Sequence, residues 1–151
     1  MTILKYRVFF DTSVYIAALI LPKGAAGELI RLVEAGVIEM VVSEKVIIES
    51  DEVLSAKFPK IVSKSRELWK HLTPEVIPDP VSKDVKAFKT HLSAADASIL
   101  YAASVANVAC FVTWNTRDFM KSGIDSLVKF PIVVPGQCLK LFREWIDPYL
   151  E

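Results

Sequence analysis

Hydrophobic and polar positions along the chain form two kinds of segment that alternate. Short continuous apolar runs predict buried strands, whereas apolar residues at helical spacing predict helices that pack on one face. The predicted strands cover residues 8–10, 39–42, 75–77, 109–113 and 131–134. The predicted helices cover residues 14–21, 25–35, 44–56, 59–71, 94–107 and 135–149, with a further short helix after Trp114.

Residues at the ends of these segments support the assignment. Ser43 and Ser93 precede helices and are favoured N-cap residues, and Pro59 stands where the first turn of a helix tolerates proline. Residues 73–80 contain three prolines around a brief extended run, which predicts a loop around an edge strand rather than a linker. Because strands alternate with helices throughout, residues 1–151 are predicted to form a single α/β domain, an open parallel sheet with helices on both faces.

Composition narrows the function only in part. The 18 Lys and Arg residues balance the 18 Asp and Glu residues, so the chain lacks the overall positive charge of a typical nucleic-acid binder and any such contact requires a local patch or a metal ion. Hydrophobic residues make up 52% of the chain, which indicates an apolar surface covered by a second copy or a partner. No stretch approaches the ~20 apolar residues of a membrane helix. Cys110 and Cys138 are too few for a disulfide framework, so buried thiols in a cytoplasmic protein are expected.

A carboxylate ends the first predicted strand. Asp11 directly follows the apolar residues 8–10, and Thr12 and Ser13 lead into the first helix. In open α/β sheets, ligands bind outside the carboxyl ends of the strands, so Asp11 is predicted to lie at the binding edge. Asp11 could instead serve only as a helix cap, since Asp is favoured at that position, although Ser13 also offers a capping oxygen.

Three further acids occupy positions that can reach the same edge. Glu49 borders the apolar face of its helix, Asp96 lies on the inward face one turn from its helix start, and Asp118 follows the fourth strand. Each has a structural alternative. Glu49 could be a partly exposed residue with a packed stem, Asp96 could complete a capping box with Ser93, and Asp118 could complement a helix dipole.

Four carboxylates that converge on one crevice repel one another and take up protons unless a cation neutralises them. Oxygen-only sites of this kind suit Mg²⁺ or Mn²⁺. Such an ion activates water and binds a phosphoryl oxygen, which is the chemistry of phosphodiester hydrolysis. Thr113 and Asn115 add neutral polar groups at the strand end that precedes Asp118.

Four segments together resemble a PIN domain in their order and spacing, over nearly the whole chain. They are residues 8–13, residues 43–49, the helix that carries Asp96, and residues 113–119. The resemblance implies a five-stranded parallel sheet in the order 3-2-1-4-5, a Mg²⁺- or Mn²⁺-dependent endoribonuclease and usually a homodimer. It also implies that Ser13 steadies the first acid and that Asn115 supports the fourth. The implied acidic quartet is Asp11, Glu49, Asp96 and Asp118.

The resemblance leaves several roles open. Many relatives of this size are the toxins of VapBC-type toxin–antitoxin modules, which implies a small antitoxin partner; an RNA-processing nuclease without an antitoxin and a catalytically silent RNA- or protein-binding module are the alternatives. Some relatives carry a further acid where this chain has Ser93-Ala94-Ala95, so the number of metal ions is open.

Four side chains near the predicted crevice have two interpretations each. Trp114 stands where a small or basic residue is common; it could stack on a base, but packing against the sheet edge is favoured. Lys23, Arg117 and Lys121 are candidate contacts to RNA phosphates, or plain surface charges.

Overall fold

Five strands form one parallel sheet in the computed structural model, which describes residues 5–150 of the chain. They are β1 (Tyr6–Phe10), β2 (Ile38–Ser43), β3 (Glu75–Ile77), β4 (Cys110–Val112) and β5 (Ile132–Val133). Every neighbouring pair is parallel, and the strand order is β3-β2-β1-β4-β5. The predicted α/β fold and its strand order are therefore confirmed.

Helices connect these parallel strands, because a parallel pair needs a crossover that returns the chain to the starting edge. In residues 5–150 they are α1 (Thr12–Ile20), α2 (Ala25–Glu34), α3 (Glu44–Lys57), α4 (Val62–Leu72), α5 (Ala94–Val105), α6 (Thr116–Phe119) and α7 (Pro135–Ile146). None of these helices has the length and apolar character that a membrane span requires.

The centre of the sheet is buried on both sides. Val8, Phe9 and Phe10 of β1 have no exposed surface, and successive side chains of a strand point to opposite faces. Covering both faces explains why residues 8–10 are continuously apolar instead of alternating with polar residues. Phe9 lies beside Phe111 of β4 in register, with the two rings stacked 5.4 Å apart.

Serine caps begin two helices as the sequence predicts. Ser43 Oγ accepts a hydrogen bond from the Val46 amide over 3.3 Å at the start of α3. Ser93 Oγ accepts one from the Asp96 amide over 3.2 Å at the start of α5. These bonds satisfy amide groups of the first turn that have no partner within the helix.

Some predicted boundaries are wrong for identifiable reasons. The helix predicted from Pro59 begins with a 3₁₀ turn, Pro59–Ile61, before α4 starts. The final helix ends at Ile146 and continues as the 3₁₀ turn Asp147–Tyr149, because Pro148 removes an amide donor and its ring clashes with the preceding turn. Helix α5 ends before Asn107, which adopts the left-handed conformation with φ of 55°.

One of the buried residues of α3 is polar. The buried residues are Val46, Ser50 and Leu54, and Ile47 is partly buried against the core. Ser50 tolerates burial because its hydroxyl donates to the Val46 carbonyl over 2.6 Å. A buried serine that satisfies itself in this way is invisible to a hydrophobicity pattern.

Arg7 forms ion pairs at the edge of the sheet opposite to Asp11. Its guanidinium pairs with Glu39 over 2.9 Å and with Glu75 over 2.7 Å, and it also donates to the carbonyls of Ala106 and Asn107 at the end of α5. These contacts join β1 to β2, to β3 and to the end of α5.

The two cysteines are buried in the core. Cys110 of β4 and Cys138 of α7 are free thiols with their sulfurs 3.6 Å apart.

Candidate active site at the carboxyl edge of the sheet

Asp11 stands at the junction between the central strand and its helix. Its amide donates to the Val112 carbonyl over 3.0 Å, which continues the pairing of β1 with β4. Only 4% of the residue is exposed. Asp11 occupies the N-cap position of α1, but its side chain makes no capping hydrogen bond. Helix capping therefore does not explain this carboxylate.

Two hydroxyl groups hold one oxygen of the Asp11 carboxylate. Ser13 Oγ donates to Oδ2 over 2.8 Å, and Thr113 Oγ1 donates to the same atom over 2.7 Å. Each hydroxyl oxygen also accepts a hydrogen bond from a backbone amide. The Trp114 amide donates to Ser13 Oγ over 2.9 Å, and the Asn115 amide donates to Thr113 Oγ1 over 2.9 Å. The network joins the ends of β1 and β4 through Oδ2 of Asp11.

Burial raises the pKa of Asp11 to about 6, because the charged carboxylate loses its hydration. The hydrogen bonds from Thr113 and Ser13 oppose this shift by favouring the ionised form, while the negative charge of Asp96 adds to it. Asp11 is thus close enough to Asp96 to feel its negative charge.

Asp96 connects Asp11 to the two remaining acids. Its pKa is raised by burial first, then by the charge of Asp118 and, more weakly, by that of Glu49. Lys121 opposes the shift with its positive charge. In residues 5–150 no bond runs from the Asp96 carboxylate to the Ser93 amide, so only one half of the capping box predicted as the alternative is present.

Asp118 lies in the short helix α6 and keeps about a third of its side chain exposed, at 34%. Asn115 Nδ2 donates to its Oδ2 over 3.1 Å, which is the supporting contact that the resemblance implies for Asn115. Arg117 Nε is 3.9 Å from its Oδ1, but the Arg117 side chain is 92% exposed, so this pair is weak.

The structure separates the three predicted RNA-contact cations. Lys121 lies near Asp96 and Arg117 beside Asp118. Lys23 lies beyond the C-terminal end of α1, and nine residues of helix span roughly 13 Å, so Lys23 is far from Asp11. It does not belong to the group.

Trp114 keeps about half of its side chain exposed, at 48%, and its packing against the sheet edge stays a prediction. Its position follows directly from the fold, because Thr113 on one side and Asn115 on the other both turn inward to hold carboxylates.

Sequence reasoning missed the contact between His91 and Gly123. Gly123 has φ of 92°, and a Cβ atom at this residue would lie 3.0 Å from Cε1 of His91. Because Gly123 has no side chain, the loop after α6 can approach the segment before α5. That loop carries Lys121, and helix α5 itself carries Asp96. In the sequence, the only sign of this contact is a glycine, Gly123, two residues after Lys121.

The donor set fits a hydrated divalent cation. Asp11 and Asp96 both have raised pKa values, partly because neighbouring carboxylates repel them, and a bound cation would relieve that repulsion. In residues 5–150 no three His, Cys, Asp or Glu side chains lie close enough to bind one ion together. An ion such as Mg²⁺ keeps several waters and needs only one or two direct carboxylate ligands.

Comparisons with known proteins agree with the fold. A family model described as a PIN domain matches residues 7–117, which includes Asp11, Glu49 and Asp96 and ends one residue before Asp118. No curated protein sequence matches the chain.

Two solved structures share the fold at low sequence identity. The crystal structure of VapBC2 from Rickettsia felis bound to a DNA fragment from their promoter has a TM-score of 0.63 at 14% identity, over 85% of this chain and 98% of that one. The crystal structure of PAE2754 from Pyrobaculum aerophilum has a TM-score of 0.64 at 19% identity, over 92% of this chain and 90% of that one.

Proposed function

The chain belongs to the PIN domain family, whose members are generally nucleases, and on that premise we propose that it is a divalent-metal-dependent endoribonuclease. The acids that would hold the ion, directly or through water, are Asp11, Glu49, Asp96 and Asp118. The reaction would be hydrolysis of an RNA phosphodiester bond, in which a water oxygen bonds to phosphorus and the bond to the 3′ oxygen breaks. The products would carry a 5′-phosphate and a 3′-hydroxyl.

One observation carries this proposal. The charges of Asp118 and Glu49 raise the pKa of Asp96, and the charge of Asp96 raises that of Asp11. Asp96 therefore feels the charges of acids on α3 and α6, and Asp11 at the end of β1 feels the charge of Asp96, although these residues are far apart in sequence. Such repulsion is unfavourable for stability and is a recognised mark of a functional site.

The neighbouring residues prepare Asp11 for binding a cation. Ser13 and Thr113 both donate to Oδ2 of Asp11 and so restrict rotation of the carboxylate. Because both hydroxyls are themselves fixed by backbone amides, the orientation of Asp11 is set before any ligand arrives. Preorganised groups avoid an entropic cost at the moment of binding.

The positive side chains near the acids suit a phosphate. Lys121 lies beside Asp96 and Arg117 beside Asp118, where both can attract the RNA backbone toward an otherwise acidic edge. A divalent ion, when bound, would supply charge neutralisation at the phosphate and lower the pKa of a water molecule.

The test is cleavage of RNA by the purified protein in Mn²⁺, with analysis of the product ends. We expect 5′-phosphate and 3′-hydroxyl ends and loss of all cleavage in excess chelator. Cleavage that persists in chelator, or that yields a 2′,3′-cyclic phosphate, would contradict a metal-dependent hydrolysis.

We further propose that the chain is the toxin of a toxin–antitoxin pair and that it forms a homodimer. The VapBC2 structure, whose matched chain is covered almost completely, supports the first part. Exposed apolar side chains such as Leu21, Val81 and Val105 support a covered surface. Light scattering on the purified protein tests the dimer, and growth arrest on expression, relieved by the product of an adjacent small reading frame, tests the toxin role.

A further inference from the structure

We infer that Trp114 is a base-stacking residue and that it makes the site selective for single-stranded RNA. This inference rests on the proposed function and extends it by naming the contact that recognises the substrate. An indole ring offers a flat apolar face on which any nucleobase can stack, whatever its sequence. Trp114 would therefore favour single strands over duplexes and increase affinity, but it would not distinguish one base from another.

The backbone of Trp114 lies beside the acids. Its amide donates to Ser13 Oγ over 2.9 Å, and Ser13 Oγ donates to Asp11 Oδ2 over 2.8 Å. Two hydrogen bonds therefore separate the Trp114 backbone from the Asp11 carboxylate. On the other side, Asn115 binds Asp118, so Trp114 lies between the residues that hold the first and the fourth acid.

The exposure of Trp114 sets it apart from the other two tryptophans. Trp69 stacks on Tyr15 with the ring centres 3.9 Å apart, and Trp145 packs against Tyr6 at 5.2 Å. Trp114 has no aromatic partner within residues 5–150, and it is 48% exposed. Burying this apolar surface under a base would be favourable, since it is now in contact with water.

The rigidity of the surrounding backbone makes stacking efficient. Both residues next to Trp114 bind carboxylates, and the Trp114 amide itself is fixed. Little backbone freedom would be lost when RNA binds, which lowers the entropic cost of the contact. A duplex keeps its bases stacked on one another, so only an unpaired base can use this surface.

The test measures binding without cleavage, with the full chain carrying Asp96→Asn in Mn²⁺ and a labelled single-stranded RNA. Adding Trp114→Ala should raise the Kd for this RNA by roughly 5- to 150-fold, whereas Trp114→Phe should keep most of the affinity. Binding of duplex RNA and competition by inorganic polyphosphate, which has no bases, should both be unchanged. Tyr149→Ala removes another exposed aromatic ring, 60% exposed in the last 3₁₀ turn, and should have no effect.

Tryptophan fluorescence provides a second readout that a purely structural role would not change. Single-stranded RNA should quench the emission of the Asp96→Asn protein, and the quench should disappear with Trp114→Phe, although Trp69 and Trp145 remain. Unchanged affinity with Trp114→Ala, or a quench that survives Trp114→Phe, overturns the inference and leaves Trp114 as a contact for a protein partner. RNA that is neither bound by the Asp96→Asn protein nor cleaved by the wild type would instead contradict the proposed function as well.

Discussion

The hydroxyl of Thr113 donates to Oδ2 of Asp11 over 2.7 Å, between residues 102 positions apart in the sequence. The contact exists because β1 and β4 are neighbours in the sheet and end at the same edge. Thr113 thereby fixes the orientation of a buried carboxylate and offsets part of the cost of burying its charge. The order of strands in the sheet, rather than proximity in sequence, builds this part of the site.

Replacing Thr113 by Val removes the hydroxyl while keeping the shape of the side chain. We expect the free energy of unfolding at pH 7 to fall by about 2 kcal/mol, because a buried charged group loses a hydrogen bond. The pKa of Asp11 should rise further, since the lost bond favours the ionised form, and the acid limb of the pH–rate profile should move to higher pH. Urea denaturation and cleavage rates across pH measure both effects. Thr113→Ser keeps the donor and should behave like the wild type; equal effects from both variants would argue against the bond.

The raised pKa of Asp11 predicts a specific dependence of stability on pH. The folded protein holds this proton more tightly than the unfolded chain, because the folded pKa is about 6 instead of 3.8. The resulting stabilisation is fully present below roughly pH 4 and is lost as the pH rises to about 6. In chelator, Asp11→Asn should remove this dependence, so the variant should be more stable than the wild type at pH 7, by up to about 3 kcal/mol, and similar to it at pH 4. A variant that is less stable at pH 7 would contradict the assigned pKa shift.

Binding of Mn²⁺ should stabilise the folded protein by mass action. At a hundred times the dissociation constant the gain is about 2.7 kcal/mol, which for a chain of this length raises the melting temperature by roughly 5–10 °C. Differential scanning fluorimetry with Mn²⁺ and Mg²⁺ measures the shift. Asp96→Asn should lose most of it, whereas Asp147→Asn, an exposed acid beyond the end of α7, should keep it. A shift of the same size in both variants would mean that the ion binds elsewhere.

Two lysines with the same predicted role as RNA contacts should differ in function. Lys121 lies near Asp96 and Lys23 lies at the far end of α1. Lys121→Gln should reduce the salt dependence of single-stranded RNA binding by about 0.7 in log–log slope, the value for one lost phosphate contact. Lys23→Gln should leave the slope unchanged. Equal effects would show that RNA covers a surface much larger than the carboxyl edge.

The strand pattern was predictable because each strand contains a short apolar run. Burial on both faces of a parallel sheet imposes continuous hydrophobicity, which residues 8–10 of β1 and all of β4 show. Ends were less accurate: the run predicted over residues 109–113 forms a strand only over Cys110–Val112. Thr113 leaves the strand because its hydroxyl binds Asp11 and the Asn115 amide. The 3₁₀ turns Ser82–Val85 and Phe88–Thr90 were not predicted, since one turn is too short to show periodicity.

The candidate site was only partly predictable. Each acid was recognised from its place at a strand end or on a helix face, and its relation to the others from the resemblance to a family. The exposure of Trp114 and the distance of Lys23 could not be predicted, because both depend on where α1 and the segment after β4 lead the chain in space. The close approach of His91 to Gly123 is likewise a contact between two loops.

Single-turnover cleavage of RNA in Mn²⁺ by matched acid variants tests the central claim most directly. The site variants are Asp11→Asn, Glu49→Gln, Asp96→Asn and Asp118→Asn. Their controls are Glu52→Gln, an exposed acid on the same helix as Glu49, and Asp147→Asn. We predict that each site variant folds and loses at least about 100-fold in rate, while both controls stay within about twofold of the wild type. Wild-type cleavage by any of the four site variants would remove that residue from the site, and wild-type cleavage by Asp11→Asn and Asp96→Asn together would contradict the account.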